Sequence, residues 1–132
     1  REHRGDGHIA ALVSAGLDGC EVQVLRSALD SSRDVLQPNR GWTDGAWESA
    51  GERLAERGLL GVNGRATTAG AEEIRSVEYT TNRSAARPWA SLGPERTEQL
   101  IELLRPISRA CAAELPVEFP IGLPPAEVIG SA

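Results

Sequence analysis

The sequence predicts a mainly α-helical fold with a minimal two-stranded β-wing and a long C-terminal helix. Apolar residues recur at helical spacing in several separate segments, and one Asn-Gly pair supplies a strong hairpin-turn signal. Aromatic residues make up only 4% of the chain while alanine, leucine and glycine abound, which favours small helices over an aromatic-rich sandwich. The 132 residues suit one domain with one modest core. With 40% hydrophobic and 25% charged residues the composition is that of a folded domain. No apolar run reaches the ~20 residues that a membrane-spanning helix requires, so no membrane partner is expected.

The elements follow in order. Ile9, Leu12, Val13 and Leu17 predict a first helix over His8 to Leu17, with Gly16 as its terminator. Asp18 followed by Glu21 three residues later is a capping-box signal for a second helix, whose apolar stripe is Val22, Leu25, Ala28 and Leu29. Ser31 to Gly41 is polar, contains Pro38-Asn39, and reads as a loop. Thr43 caps a third helix running to about Arg57, with Ala46, Trp47, Ala50 and Leu54 on one face and Gly58 ending it. Leu59 to Val62 and Arg65 to Thr67 read as two short strands joined by Asn63-Gly64, the pair that a type I′ turn prefers. Thr68 then caps a helix containing Ile74, Val77, Thr81 and Ala85. Pro94 opens a last helix reaching about Glu114, with the stripe Leu100, Leu103, Leu104, Ile107 and Cys111, and Pro106 inside it removes one backbone bond. Pro116, Pro120, Pro124 and Pro125 predict an extended strap.

Helix, helix, helix, hairpin, helix is the order of a winged helix-turn-helix. Two phrases carry a resemblance. Leu54-Ala55-Glu56-Arg57-Gly58-Leu59-Leu60 and Thr67-Thr68-Ala69-Gly70 resemble the L-x-x-R-G-L-[VL] and L-T-x-x-G words that flank the wing in MarR-type regulators. Thr67 stands where that family usually has leucine. Arg1 to His8, Arg40-Gly41-Trp42-Thr43 and Pro88-Trp89 look like the C-terminal half of an actinobacterial MarR-like family, often labelled SalK-like, whose members are longer. The chain begins at Arg1 and contains no methionine, so the expected organisation is a winged helix-turn-helix domain over 1–115, a proline-rich tail over 116–132, and a further domain ahead of residue 1.

The resemblance implies a small-ligand-responsive transcription regulator that forms a homodimer through its terminal helix and binds double-stranded DNA. Thr43, Ser49, Arg53 and Arg65 are the candidate DNA contacts on the recognition helix and wing. The charge pattern opposes it. Net charge is −5, and Glu48, Glu52 and Glu56 share the exposed helix face with Ser49 and Arg53, so phosphate repulsion precedes any base reading. A second reading therefore stays open: a winged-helix scaffold without DNA binding, serving a small-molecule-binding or catalytic protein.

His3-Arg4-Gly5-Asp6-Gly7-His8 is the densest chemistry in the chain. His3, Arg4, Asp6 and His8 are the candidate ligand-binding residues, Arg4 offering a fork for a carboxylate or phosphate. The spacing matches no established metal motif, so neither a metal nor another cofactor is assigned. The alternative is a capping turn with Asp6 at the start of the first helix. Cys20 and Cys111 are too few for a disulfide framework, which points to a reducing cytoplasm. Cys20, near a helix N-terminus, is expected to have a lowered pKa, and Cys111, on an apolar stripe, to be buried. Trp42, Trp47 and Trp89 read as core or interface aromatics, and no catalytic elbow or phosphate loop is present in the sequence.

Overall fold

A computed structural model describes residues 2–114, with side chains from Arg4 to Ala112 and at Glu114. The expected strap over 116–132 lies outside the described residues. Six helices follow in order: α1 (Glu2–Ser14), α2 (Gly19–Ser27), α3 (Arg33–Arg40), α4 (Asp44–Glu56), α5 (Thr68–Leu92) and α6 (Pro94–Ala113). The chain divides into two units, Arg1–Ala85 and Ala86–Ala132.

The first unit is built around α2. Leu25 of α2 and Leu54 of α4 are fully buried, and Leu17, Val24, Leu36, Trp47, Ala50, Leu59, Ile74 and Val77 are among the residues that pack the core with them. The Asp18 capping box is present in full. Asp18 Oδ1 accepts from the N–H groups of Cys20 (2.8 Å) and Glu21 (2.7 Å), and Glu21 Oε2 accepts from Asp18 N–H at 2.9 Å. Helix α4 starts at Thr43, whose Oγ1 accepts from Ala46 N–H at 3.2 Å. It closes at Gly58 in a Schellman arrangement, Gly58 N–H donating to Ala55 and Leu59 N–H to Leu54 at 2.9 Å each.

Several expectations are corrected here. The first helix begins at Glu2 rather than His8 and ends at Ser14, so the His-Arg-Gly-Asp-Gly-His stretch is helical and not a capping turn. The polar segment expected as a loop is α3. Ser32 caps it, Leu36 is buried beneath it, and Asn39 Nδ2 donates back to the Val35 carbonyl at 2.8 Å. These contacts outweigh the one backbone bond that Pro38 removes.

The two-stranded wing is not formed among the described residues. A single antiparallel bridge joins Leu60 and Ala66. The turn has three residues, not two: Gly61 N–H donates to Arg65 at 2.8 Å, Gly64 N–H donates to Gly61 at 2.9 Å, and Gly64 carries φ +72°. Among the described residues no non-glycine residue has positive φ, so Asn63 does not occupy a type I′ turn. Its side chain instead accepts from Arg65 N–H at 3.1 Å. The two arms stay joined as far as Thr67, whose N–H donates to the Leu59 carbonyl at 3.0 Å, while Ala66 N–H points away from the hairpin to the Ala28 carbonyl at 3.4 Å.

The cap of α5 is Thr67, one residue before the expected Thr68. Thr67 Oγ1 accepts from Gly70 N–H at 3.1 Å and donates to the Gly58 carbonyl at 2.7 Å. Thr67 is thus the threonine of the T-x-x-G word, and Ala66 takes the place where leucine was expected. Gly70 is required by close approach: a Cβ there would overlap the Leu59 carbonyl oxygen and lie 3.1 Å from Leu25 Cδ1.

In the second unit, α6 opens at Gly93-Pro94 as the sequence indicates, with Thr97 Oγ1 donating to the Gly93 carbonyl at 2.7 Å. None of its described residues is buried. Leu103 is 73% and Ile107 60% exposed, and Cys111, expected to be covered, is exposed as well. Among the described residues no element covers the apolar stripe of α6, which periodicity cannot reveal.

Candidate nucleic-acid interface

Helices α3 and α4 meet at the sharp turn Gly41-Trp42-Thr43 and form the helix-turn-helix pair. A polar clamp sets their angle. Asp44 Oδ1 accepts from Arg33 Nη2 and from Gln37 Nε2, both at 2.8 Å, and Gln37 Nε2 also reaches the Trp42 carbonyl at 3.2 Å. The Gln37 hydrogen bond first, and then the Arg33 guanidinium, hold the Asp44 carboxyl below its usual range. Arg33 also lies over the Trp47 ring, 5.6 Å from its centroid.

The four candidate DNA contacts have different surroundings. Thr43 is the α4 cap, its oxygen already accepting a backbone N–H. Ser49 is exposed on the outer face of α4. Arg53 is turned back onto α2: its Nε donates to Glu21 Oε1 at 2.9 Å and its Nη2 to Asp18 Oδ2 at 2.7 Å. Glu21 is buried, 5% exposed, so this pairing supplies the cation that a carboxylate inside the fold requires. One turn on, Arg57 donates to the carbonyls of Gly16 (2.8 Å) and Ala15 (2.9 Å) at the end of α1. Arg65, at the hairpin, is exposed and forms no ion pair among the described residues.

What remains on the outer face of α4 is acidic. Glu48, Glu52 and Glu56 stand one turn apart, exposed and without a cationic partner among the described residues. The sequence identified this face correctly but missed that Arg53 leaves it. The signal was available in Asp18 and Glu21, a capping box whose two carboxylates call for a neutralising cation.

Of the candidate ligand residues, Arg4 and His8 lie against α5. Arg4 Nη2 donates to Glu78 Oε2 at 2.8 Å and to Asn82 Oδ1 at 3.3 Å. His8 Nδ1 is 3.1 Å from Thr81 Oγ1, and that hydroxyl donates its only hydrogen to the Val77 carbonyl at 2.8 Å. His8 Nδ1 therefore carries the proton and donates, leaving Nε2 as the ring's acceptor in the neutral form. Asp6 is exposed, and the His3 side chain lies outside the described set. Among the described residues no group of three or more His, Cys, Asp or Glu is placed to hold a metal ion.

Cys20 corrects another expectation. Burial, then the nearby Asp18 carboxylate, push its thiol up rather than down, against a smaller opposing pull from Arg53. Its Sγ donates weakly to the Ala46 carbonyl at 3.5 Å. Trp47 is buried, Trp42 is half-buried against the core, and Trp89 is 49% exposed.

The α3–α4 pair and the hairpin that follows it define a helix-turn-helix domain. A family model described as a helix-turn-helix family matches residues 1–118, and the chain belongs to that family. No curated protein and no solved structure matches the chain. No helix among the described residues is long and apolar enough to cross a membrane.

Proposed function

We propose that the chain is the DNA-binding part of a MarR-like, small-ligand-responsive transcription regulator that acts in the cytoplasm as a homodimer. The observation that carries this reading is the helix-turn-helix pair itself: α4 keeps one face open along its length and is clamped to α3 by Asp44. On this face, Ser49 on α4, Arg65 on the hairpin, without an ion pair among the described residues, and the cap of α4 at Thr43 are available to a duplex. The open stripe of α6, with Leu103, Leu104 and Ile107, suits a second subunit. Fluorescence anisotropy with mixed-sequence duplex DNA across a salt titration tests it. Micromolar binding that weakens steeply with salt is the expected result, and no binding at the lowest salt removes the reading.

A second reading is favoured by one observation, the three carboxylates on α4 that have no cationic partner among the described residues. Here the domain is a scaffold without DNA binding, and small-ligand chemistry resides at the α1 segment from His3 to His8 with Asp6 exposed beside it. Ligand-induced change in the thermal midpoint that is lost in Asp6→Asn, with no DNA binding, supports it; a midpoint indifferent to every ligand class screened opposes it.

A further inference from the structure

The described arginines of the first unit divide into two groups. Arg4, Arg26, Arg33 and Arg53 each pair with a carboxylate, and Arg57 is engaged at the end of α1. Arg40, Arg65, Arg75 and Arg83 have no carboxylate partner among the described residues. Two of these lie together on α5. Arg75, Tyr79 and Arg83 follow one another at intervals of four, each step turning only about 40° and rising about 6 Å. They occupy the face opposite the buried Gly70, Ile74, Val77 and Thr81. All three are exposed, Tyr79 at 66%, and the Arg83 guanidinium lies 5.9 Å from the Tyr79 ring centroid. Between them the same face holds only Ser76 and Asn82. Glu72 sits one turn earlier, and Glu78, off to the side, is occupied by Arg4.

We infer that this ridge, rather than α4, is the principal phosphate-contacting surface of the domain, and that its ligand is the phosphodiester backbone of duplex DNA. The inference rests on the reading that the domain binds DNA and relocates where it does so. An outer α4 face carrying Glu48, Glu52 and Glu56 repels phosphates, whereas the backbone positions of Arg75 and Arg83 are about 12 Å apart along the helix axis. They are forks suited to phosphate oxygens, and Tyr79 between them adds a hydroxyl donor. Neither arginine holds the fold together, so both are available to a ligand.

The test compares the whole chain with Arg75→Ala/Arg83→Ala and, separately, Arg65→Ala, by anisotropy on a labelled mixed-sequence duplex at several salt concentrations. Circular dichroism melts establish that the exposed-residue variants remain folded. Because each phosphate contact contributes roughly 0.9 to the slope of log K against log salt, the double variant is expected to lose about 2 from that slope. If the whole chain binds and the double variant retains its slope while Arg65→Ala loses affinity, the ridge is overturned and DNA binding stands. If the whole chain does not bind even at the lowest salt, both fall. Unchanged DNA binding with loss of self-association in sedimentation would assign the ridge to the acidic α4 of a second copy and likewise overturn the proposal.

Discussion

Gly70→Ala tests the reasoning most sharply, because two effects of opposite sign compete. In an open helix interior, alanine stabilises relative to glycine by up to about 1 kcal/mol. At position 70 the added Cβ would overlap the Leu59 carbonyl oxygen and approach Leu25 Cδ1 at 3.1 Å. That carbonyl cannot move aside cheaply, since it accepts from Thr67 N–H at 3.0 Å. Leu25 is fully buried, and in a close-packed interior a side chain does not rotate aside without cost. Overpacking of this kind costs typically ~1–3 kcal/mol, and displacement of the Thr67 cap adds about 1 kcal/mol. The net expectation is destabilisation by about 1–3 kcal/mol. Gly5→Ala supplies the control, because a Cβ there meets nothing within 4 Å and the residue is exposed in α1. It should stabilise by up to about 1 kcal/mol. Urea unfolding followed by tryptophan fluorescence and by circular dichroism measures both. Equal or greater stability of Gly70→Ala would refute the argument that α5 is seated by backbone contact.

Other outcomes follow from the same contacts. Arg53→Ala should lower stability by stranding the Glu21 carboxylate, and adding Glu21→Gln should restore part of the loss; full additivity in the double-mutant cycle would show that the pair is not coupled. Asp44 has a folded pKa held below its usual value, so its contribution is present above about pH 4 and is lost as the pH falls through the lower folded value. Asp44→Asn should remove that part of the acid dependence, read as urea midpoints from pH 3 to 6. With a thiol-specific chromogenic reagent at neutral pH, the exposed Cys111 should react fast and the buried Cys20 only on unfolding, and Cys111→Ser should abolish the fast phase.

Signals confined to a few neighbouring residues were legible in the sequence. Asp18 with Glu21, Thr43, Gly58 and Pro94 each mark a helix end because the groups they satisfy lie within about four positions along the chain. The core face of α4 followed equally well, since Trp47, Ala50 and Leu54 need only helical periodicity to meet on one side.

Partners far apart in sequence decided the rest. Asp6 offered a capping turn as one reading, yet α1 runs through it, held by Arg4 to Glu78 and His8 to Thr81, contacts spanning more than 70 residues. Pro38 suggested a loop, yet Leu36 and the Asp44 clamp hold α3 as a helix. Asn63-Gly64 set the place of the hairpin, but its three-residue geometry and single bridge pair were set by where Leu59 and Ala28 hold the returning arm. The candidate site divides the same way. Sequence alone located the acidic face of α4, because exposure is the complement of an apolar stripe. Only the folded chain showed Arg53 withdrawn from that face and Arg75 and Arg83 without carboxylate partners among the described residues, because pairing between charges depends on distances that close when α2, α4 and α5 pack.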